Sequence, residues 1–344
     1  MVARREMAVL RCESRWRDGR VAKANRRRFP GRFAAACHDG HGRSAVGMGR
    51  RWNKGDLFEG PPRRERLARA DPHRSAGTWA DAVQVTSEQA FIEFVDVSTD
   101  GRRLLVSSDR GGNQDIWMLA AGGGAMQQLT TDPTPDWDPR WSPDSSQIAF
   151  YSYRSGNRDI WTMPANGGAA RQLTSDPGPD LQPTWSPDGT QIAFLCGRAD
   201  GSHTCVVPAR GGRTRDLGRG IDAEWARDSS SLIVQMIGQD GPSHSLWRVR
   251  LDGSSLEPIT AGPANRPRRS RDGADVYYVG ARERAGNIWS ASLGRRLERP
   301  LTQFAARRGQ LENALSTDGR SIYFIWEEDL GDIWVMDVRN PGAR

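Results

Sequence analysis

The sequence predicts an all-β protein, a six-bladed β-propeller of four-stranded antiparallel blades, closed by its N-terminal strand and preceded by a disordered basic segment. Three observations carry this. An Asp recurs at 100, 144, 188, 228, 272 and 318, in steps of 44, 44, 40, 44 and 46 residues. Four residues after each Asp stands Leu104, Ile148, Ile192, Leu232, Val276 or Ile322, and six after stands Val106, Phe150, Phe194, Val234, Tyr278 or Phe324. An apolar pair at spacing two is one buried face of a strand. Turn residues fall between the apolar runs at matching places in successive repeats, and a self-similar unit of about 43 residues with four strands is a propeller blade.

Residues 1–80 come first, and they hold most of the positive charge. They carry 20 Lys and Arg against 8 Asp and Glu, which leaves 29 against 34 in the rest of a chain whose net charge is +7. A basic balance confined to one aperiodic segment, with runs such as Arg26-Arg27-Arg28, is not a nucleic-acid footprint on a formed surface. The segment is expected to be disordered or to reflect a start assigned too far upstream. Cys12, Cys37, His38 and His41 match no zinc-finger spacing. Charges run throughout Met1 to Arg20, so no export signal is expected, and no stretch reaches the roughly 18 apolar residues of a spanning helix.

The blades occupy 82–338. The apolar pair after each Asp marks one strand. A second surrounds Trp117, Trp161, Trp247, Trp289 and Trp334, a third ends in Leu129-Thr130, Leu173-Thr174, Ile259-Thr260 and Leu301-Thr302, and the stretch leading to the next Asp is the fourth. Ser186-Pro187-Asp188-Gly189 suits a type I turn, and Asn166-Gly167-Gly168 supplies positive φ for another hairpin. Residues 82–101 align without a gap on 170–189, which places Val83 to Thr86 in an outer-strand slot that the last repeat lacks after Trp334. The N-terminal strand is therefore expected to complete the sixth blade and remove an open edge.

The segments Pro-x-Trp-Ser-Pro-Asp-Gly, Ile-Ala-Phe, Gly-Asn-x-Asp-Ile-Trp-x-Met and Gln-Leu-Thr, nearly whole at 139–174 and again from 183, resemble the WD-like propeller repeat of the TolB family. The same repeat is similar to propellers of the tricorn and dipeptidyl peptidase IV kinds and to those of bacterial kinases and winged-helix regulators. The sequence departs from the pattern with Cys205 in a Trp slot, Trp225-Ala226-Arg227-Asp228 without the Pro, and Arg269-Ser270-Arg271-Asp272. The resemblance implies a non-catalytic scaffold for a protein or peptide partner, as a monomer, in the periplasm or cell envelope. Residues 1–80 resemble neither the export signal nor the α/β domain that TolB places before its propeller, so a cytoplasmic location stays open. The alternatives it leaves are the gating propeller of a peptidase and the sensory propeller of a regulator.

The sequence carries no expected catalytic motif. No Gly-x-Ser-x-Gly or phosphate-binding loop occurs, and His203 and His244 are expected at exposed hairpin tips. One Asp per repeat, as at Asp115 and Asp159, suggests a structural hydrogen bond, so no catalytic, cofactor or metal residue is assigned. A four-residue tip at Ala199 to Ser202 would set Cys196 opposite Cys205, compatible with a disulfide or with two thiols. The candidate partner site is the segment from Asp132 to Arg140 and its counterpart from Asp176, read as connections between an outer and the next inner strand. Its residues are Asp136, Trp137, Asp138, Arg140, Asp180 and Gln182. A loop on a rigid scaffold is where binding concentrates, while a rigid Pro turn with one exposed Trp explains the segment equally well.

Overall fold

The chain divides into two units, Met1–Leu67 and Ala68–Arg344. The computed structural model describes residues 76–86, 90–237, 244–252, 256–280, 286–295, 297–304, 309–327 and 332–337, all in the second unit. The expected disorder of the basic segment lies outside the described residues as far as 75.

Six four-stranded antiparallel sheets follow one another, and their inner strands are Ile92–Val97, Asp136–Trp141, Asp180–Trp185, Ile221–Trp225, Ala264–Arg269 and Gln310–Thr317. These define blades 1 to 6. The apolar pair after each repeated Asp lies in the second strand, where Leu104, Val106, Ile148, Phe150, Ile192 and Phe194 are fully buried. The blades do not have separate cores. Leu105 and Ile116 of blade 1 pack with Ile148 and Phe150 of blade 2, and each following pair of neighbours shares a cluster in the same way, through to Val95 and Val97 with Tyr323 and Ile325 between blades 1 and 6. Because each sheet has apolar residues on both faces, its burial requires a neighbour on either side.

The repeated polar residues hold the blades in register. In blade 2, Ser142 Oγ donates to Asp144 Oδ1 at 2.6 Å, while Asp144 Oδ1 accepts from Ser146 N and Ser142 Oγ from Gln147 N, at 3.1 and 2.9 Å. These bonds hold the Asp144 carboxyl below its ordinary range, Ser142 contributing most. At the strand opening Asp115-Ile116-Trp117, Asp115 accepts from Thr130 Oγ1 and Gln128 Nε2, and Thr130 Oγ1 accepts from Ile116 N. The Asp-Ile-Trp and Gln-Leu-Thr motifs are two halves of one bridge between the third and outer strands. Trp185 and Trp225 each donate through Nε1 to a backbone carbonyl of the preceding blade, Arg140 O and Thr184 O.

The ring closes as expected. Val83–Gln84 pairs antiparallel with the third strand of blade 6, Val83 opposite Val335. Order extends further upstream than the expected boundary near 81. Gly77–Thr78 pairs in parallel with Thr302–Gln303, and Trp79 packs against Phe304 and Trp326 at centroid distances of 5.1 and 4.7 Å. Among the described residues, no helix is long and apolar enough to cross a membrane.

Candidate functional site

Asp136–Trp141 and Asp180–Trp185 are inner strands rather than connecting loops. Each carries a β-bulge, seen as a register shift between Trp137 and Arg140 and between Leu181 and Thr184, and the other four inner strands are interrupted in the same place. The extra residue has positive φ in four blades: Asp138 at 49°, Gln182 at 56°, Asp222 at 51° and Arg266 at 52°. Left-handed backbone at a non-Gly residue is strained, and bulges re-aim side chains. Here they aim them at the axis of the ring.

The result is a channel spanned by charge. Asp138 is fully buried, accepts from Arg266 Nη1 at 3.1 Å, and forms an ion pair with Arg140 Nη2 at 2.9 Å. Arg266 belongs to blade 5, which stands opposite blade 2 in a ring of six, so the first contact crosses the axis. Arg266 also meets Asp222 at 3.4 Å and lies over the Phe94 ring at 5.1 Å. Burial pulls the guanidinium pKa down, but the carboxylates of Asp222 and Asp138 outweigh it and raise it. One step further along the strands, Arg140 faces Asp96 at 3.5 Å and Arg268 faces Glu224 at 3.7 Å. Asp96 ties three blades together, accepting from Trp141 N at 2.9 Å and Ser316 Oγ at 2.8 Å.

At the mouth where the inner strands begin, Trp137 is half-buried, stacked on Tyr151 at 5.4 Å and edge-on to Tyr153 at 5.7 Å. Arg158 covers the other ring at 4.9 Å from the Tyr153 centroid. Burial, then the Asp138 and Glu93 carboxylates, raise the Tyr151 hydroxyl pKa. Glu93 is itself raised by burial and by Asp138. Across the mouth, Glu312 is pushed up to about 7 by burial and by Glu327, and Gln310 Nε2 donates to both carboxylates, at 3.0 and 3.2 Å. The surrounding rim is pinned: Asn113 Nδ2 donates to Asp132 O at 3.0 Å, and Asn157 Nδ2 to Asp176 O and Gly178 O at 3.0 and 2.9 Å.

Four of the six expected contact residues are internal, which corrects the expectation that they meet a partner at the surface. Asp136 is buried and paired with Arg154, Asp138 lies on the axis, Asp180 is buried, and Arg140 is 8% exposed and points toward the far mouth. Dense Pro, Asp and Trp read as a turn; in a strand lining a channel the charges meet partners from other blades. Trp137 and Gln182 remain half-buried. Sequence reasoning missed Glu93, Tyr151, Arg266 and Arg268. The positions of Glu93, Arg266 and Arg268 follow from aligning each inner strand by the Asp period, a step that places Arg266 level with Asp138, whereas Tyr151 lies in the second strand of blade 2.

The expectation of exposed histidines is also corrected. His203 lies within the strand Gly201–Pro208 with its side chain 14% exposed, 2.9 Å from Asp216 and 3.1 Å from Asp200. His244 opens the strand His244–Arg250 and is half-buried. Cys196 and Cys205 form a disulfide with Cα atoms 5.8 Å apart, but they are diagonal rather than directly opposite, because Arg198 pairs with Gly201 and Cys196 with His203. The ladder gains two pairs by turning over Ala199 and Asp200 alone, and Arg198 is held there by Asp216 at 3.1 Å.

A closed ring of six blades around a charge-filled axis defines a six-bladed propeller of the Asp-turn type. Residues 83–260 and 139–310 match the TolB beta propeller domain, and the chain belongs to that family. The solved structure of a putative TolB from Agrobacterium tumefaciens is similar, with 20% identity, a TM-score of 0.59, and 74% of this chain and 93% of that one covered. Oligogalacturonate lyase from Vibrio parahaemolyticus is similar at 12% identity and a TM-score of 0.55, covering 75% and 94%. The tricorn protease is similar at 17% identity and 0.55, covering 73% of this chain and 27% of that chain. At such identities the likeness is one of fold, shared by enzymes and non-enzymes alike. No curated protein matches the sequence significantly.

Proposed function

We propose that this chain is a non-catalytic TolB-like propeller that binds a protein or peptide at the mouth where Trp137 stands. The observation that carries the reading is the platform of Trp137, Tyr151 and Tyr153, held by stacking and by Arg158. A ring already fixed in place loses little freedom when a partner covers it, and Trp and Tyr dominate binding energy in interfaces. The neighbouring Glu93, Glu312 and Glu327 favour a partner with basic groups, through encounter rate more than final affinity. A gating role would need an axial passage for peptides, and the Asp138–Arg266 contact at 3.1 Å lies across that path.

Partners captured by the intact chain, identified by mass spectrometry and titrated individually, test this. Trp137→Ala should weaken binding by about 2 kcal/mol or more, and Trp137→Phe, which keeps a ring on Tyr151, should retain most of it. Normal binding by Trp137→Ala, with early unfolding, would make the ring a packing element.

A further inference from the structure

The opposite mouth of the channel, where the inner strands end, holds a cavity of about 440 Å³ reached by all six blades. Its charges are unevenly matched. Arg140 is paired with Asp138 at 2.9 Å and Asp96 at 3.5 Å, while Arg268, Arg269 and Arg271 line the cavity with Glu224 and Asp318. Two of the three carboxylates already have partners: Asp96 has Trp141 N, Ser316 Oγ and Arg140, and Asp318 has Arg320 N and Ser321 N of its turn, at 2.8 and 2.7 Å. Glu224 is left between two guanidiniums, at 3.7 Å from Arg268 and 3.5 Å from Arg269, beyond good hydrogen-bond length for either.

Arg268 is 8% exposed, yet of its five N–H donors only one bonds closely, Nη1 to Pro267 O at 2.8 Å. Its Nε and the Nε of Arg140, equally buried, have no acceptor. Buried donors without partners are costly, and guanidinium forks match carboxylate geometry. Burial, then the neighbouring Arg140 charge, push the Arg268 pKa down to about 10, which leaves it charged at neutral pH with its charge poorly compensated. The remaining walls are mixed: Trp141, Trp185, Pro143 and Pro187 stand beside the hydroxyls of Thr99, Thr184, Ser316 and Thr317. A bare inorganic ion would meet the guanidinium and make no use of the indole edges that reach the cavity.

The geometry points to an anion site in this far mouth for a small organic carboxylate, its charged end on Arg268 and its apolar body against the exposed edges of Trp141 and Trp185. The ligand is either a free acid or the carboxyl end of a peptide. The site is separate from the Trp137 platform and does not depend on it.

Calorimetric titration of the full chain with 3-phenylpropionate tests the site, with 3-phenylpropanol and inorganic phosphate as comparison probes. Saturable binding of the acid is expected, with no binding of the alcohol and weaker binding of phosphate. Arg268→Met should weaken the acid by roughly tenfold or more. Glu224→Gln, which removes the competing carboxylate, should tighten it several-fold, and this opposite direction decides the matter should Arg268→Met fail to fold. A short peptide ending in Phe, with a free or an amidated carboxyl terminus, separates the two sources: tighter binding of the free form than of 3-phenylpropionate assigns a peptide end, and weaker binding assigns a small acid. Equal binding of the alcohol and the acid, no binding of the acid at all, or an affinity unmoved by Glu224→Gln would overturn the site.

Discussion

Asp136 and Asp180 occupy the same step of neighbouring inner strands, yet only one has a cation. Arg154 pairs with Asp136, whereas Arg198, 44 residues further on, turns to Asp216 and Asp176 and leaves both Asp180 oxygens without a hydrogen-bond partner. Burial, with Asp176 and Asp159 adding to it, pushes Asp180 up to about 7, against the opposition of Thr174 and Arg198. The unfolded value is about 3.9. Between these values the folded chain binds more protons than the unfolded one, so this carboxyl lowers stability as pH rises through the window and contributes no further change above it. Asp180→Asn should therefore melt higher than the parent at pH 8 and show a shallower dependence of Tm on pH between 5 and 8; identical slopes would reject the assignment. The axial pair behaves in the opposite sense, because each member is needed by the other. Arg266→Met leaves the buried Asp138 with Arg140 alone and should cost about 3 kcal/mol in urea denaturation. Adding Asp138→Asn should cost less than the sum of the single changes, and strict additivity in that cycle would show that the contact across the axis is not energetic.

The element that closes the ring uses the same bond as blades 1, 2, 4 and 5. Thr86 Oγ1 accepts from Ile333 N at 2.9 Å, as Thr130 does from Ile116 and Thr174 from Ile160, at 2.9 and 3.0 Å. Thr86→Val should lower stability by about 1 kcal/mol, and Trp79→Ala by about 3 kcal/mol, both read from Tm and urea midpoints; no change in either would detach the strand from the closure. This closure was legible in the sequence because Val85-Thr86 repeats the Gln-Leu-Thr slot and the period counts blades by itself. The axial site was not. A bulge adds one residue and destroys the alternation that announces a strand, and Asp138 and Arg266 are 128 residues apart with no local sign of each other. Trp137 stood out in the sequence because it lies between two carboxylates in a Pro-rich segment. Its support from Tyr151 follows only from the register of the second strand.

For the whole molecule, the decisive fact is that the core lies between sheets. No blade buries both its faces without two neighbours, so the ring should unfold in a single transition, unlike an open array that frays from its ends. Calorimetric and van't Hoff enthalpies should agree, and Arg266→Met in the fifth blade should shift the same transition as Thr86→Val at the closure. Two resolved transitions would mean that the blades hold together without the ring.

The closure also has a cost in time. Thr86 and Ile333 are 247 residues apart, and a contact of that span must wait until the third strand of blade 6 has left the ribosome. Until then the sixth sheet lacks its outer strand, and the waiting N-terminal segment offers an unpaired edge to any other chain being made nearby. Emergence of the last blade is thus the step at which assistance by a chaperone, or exchange of that strand between two copies, would have its greatest effect on yield.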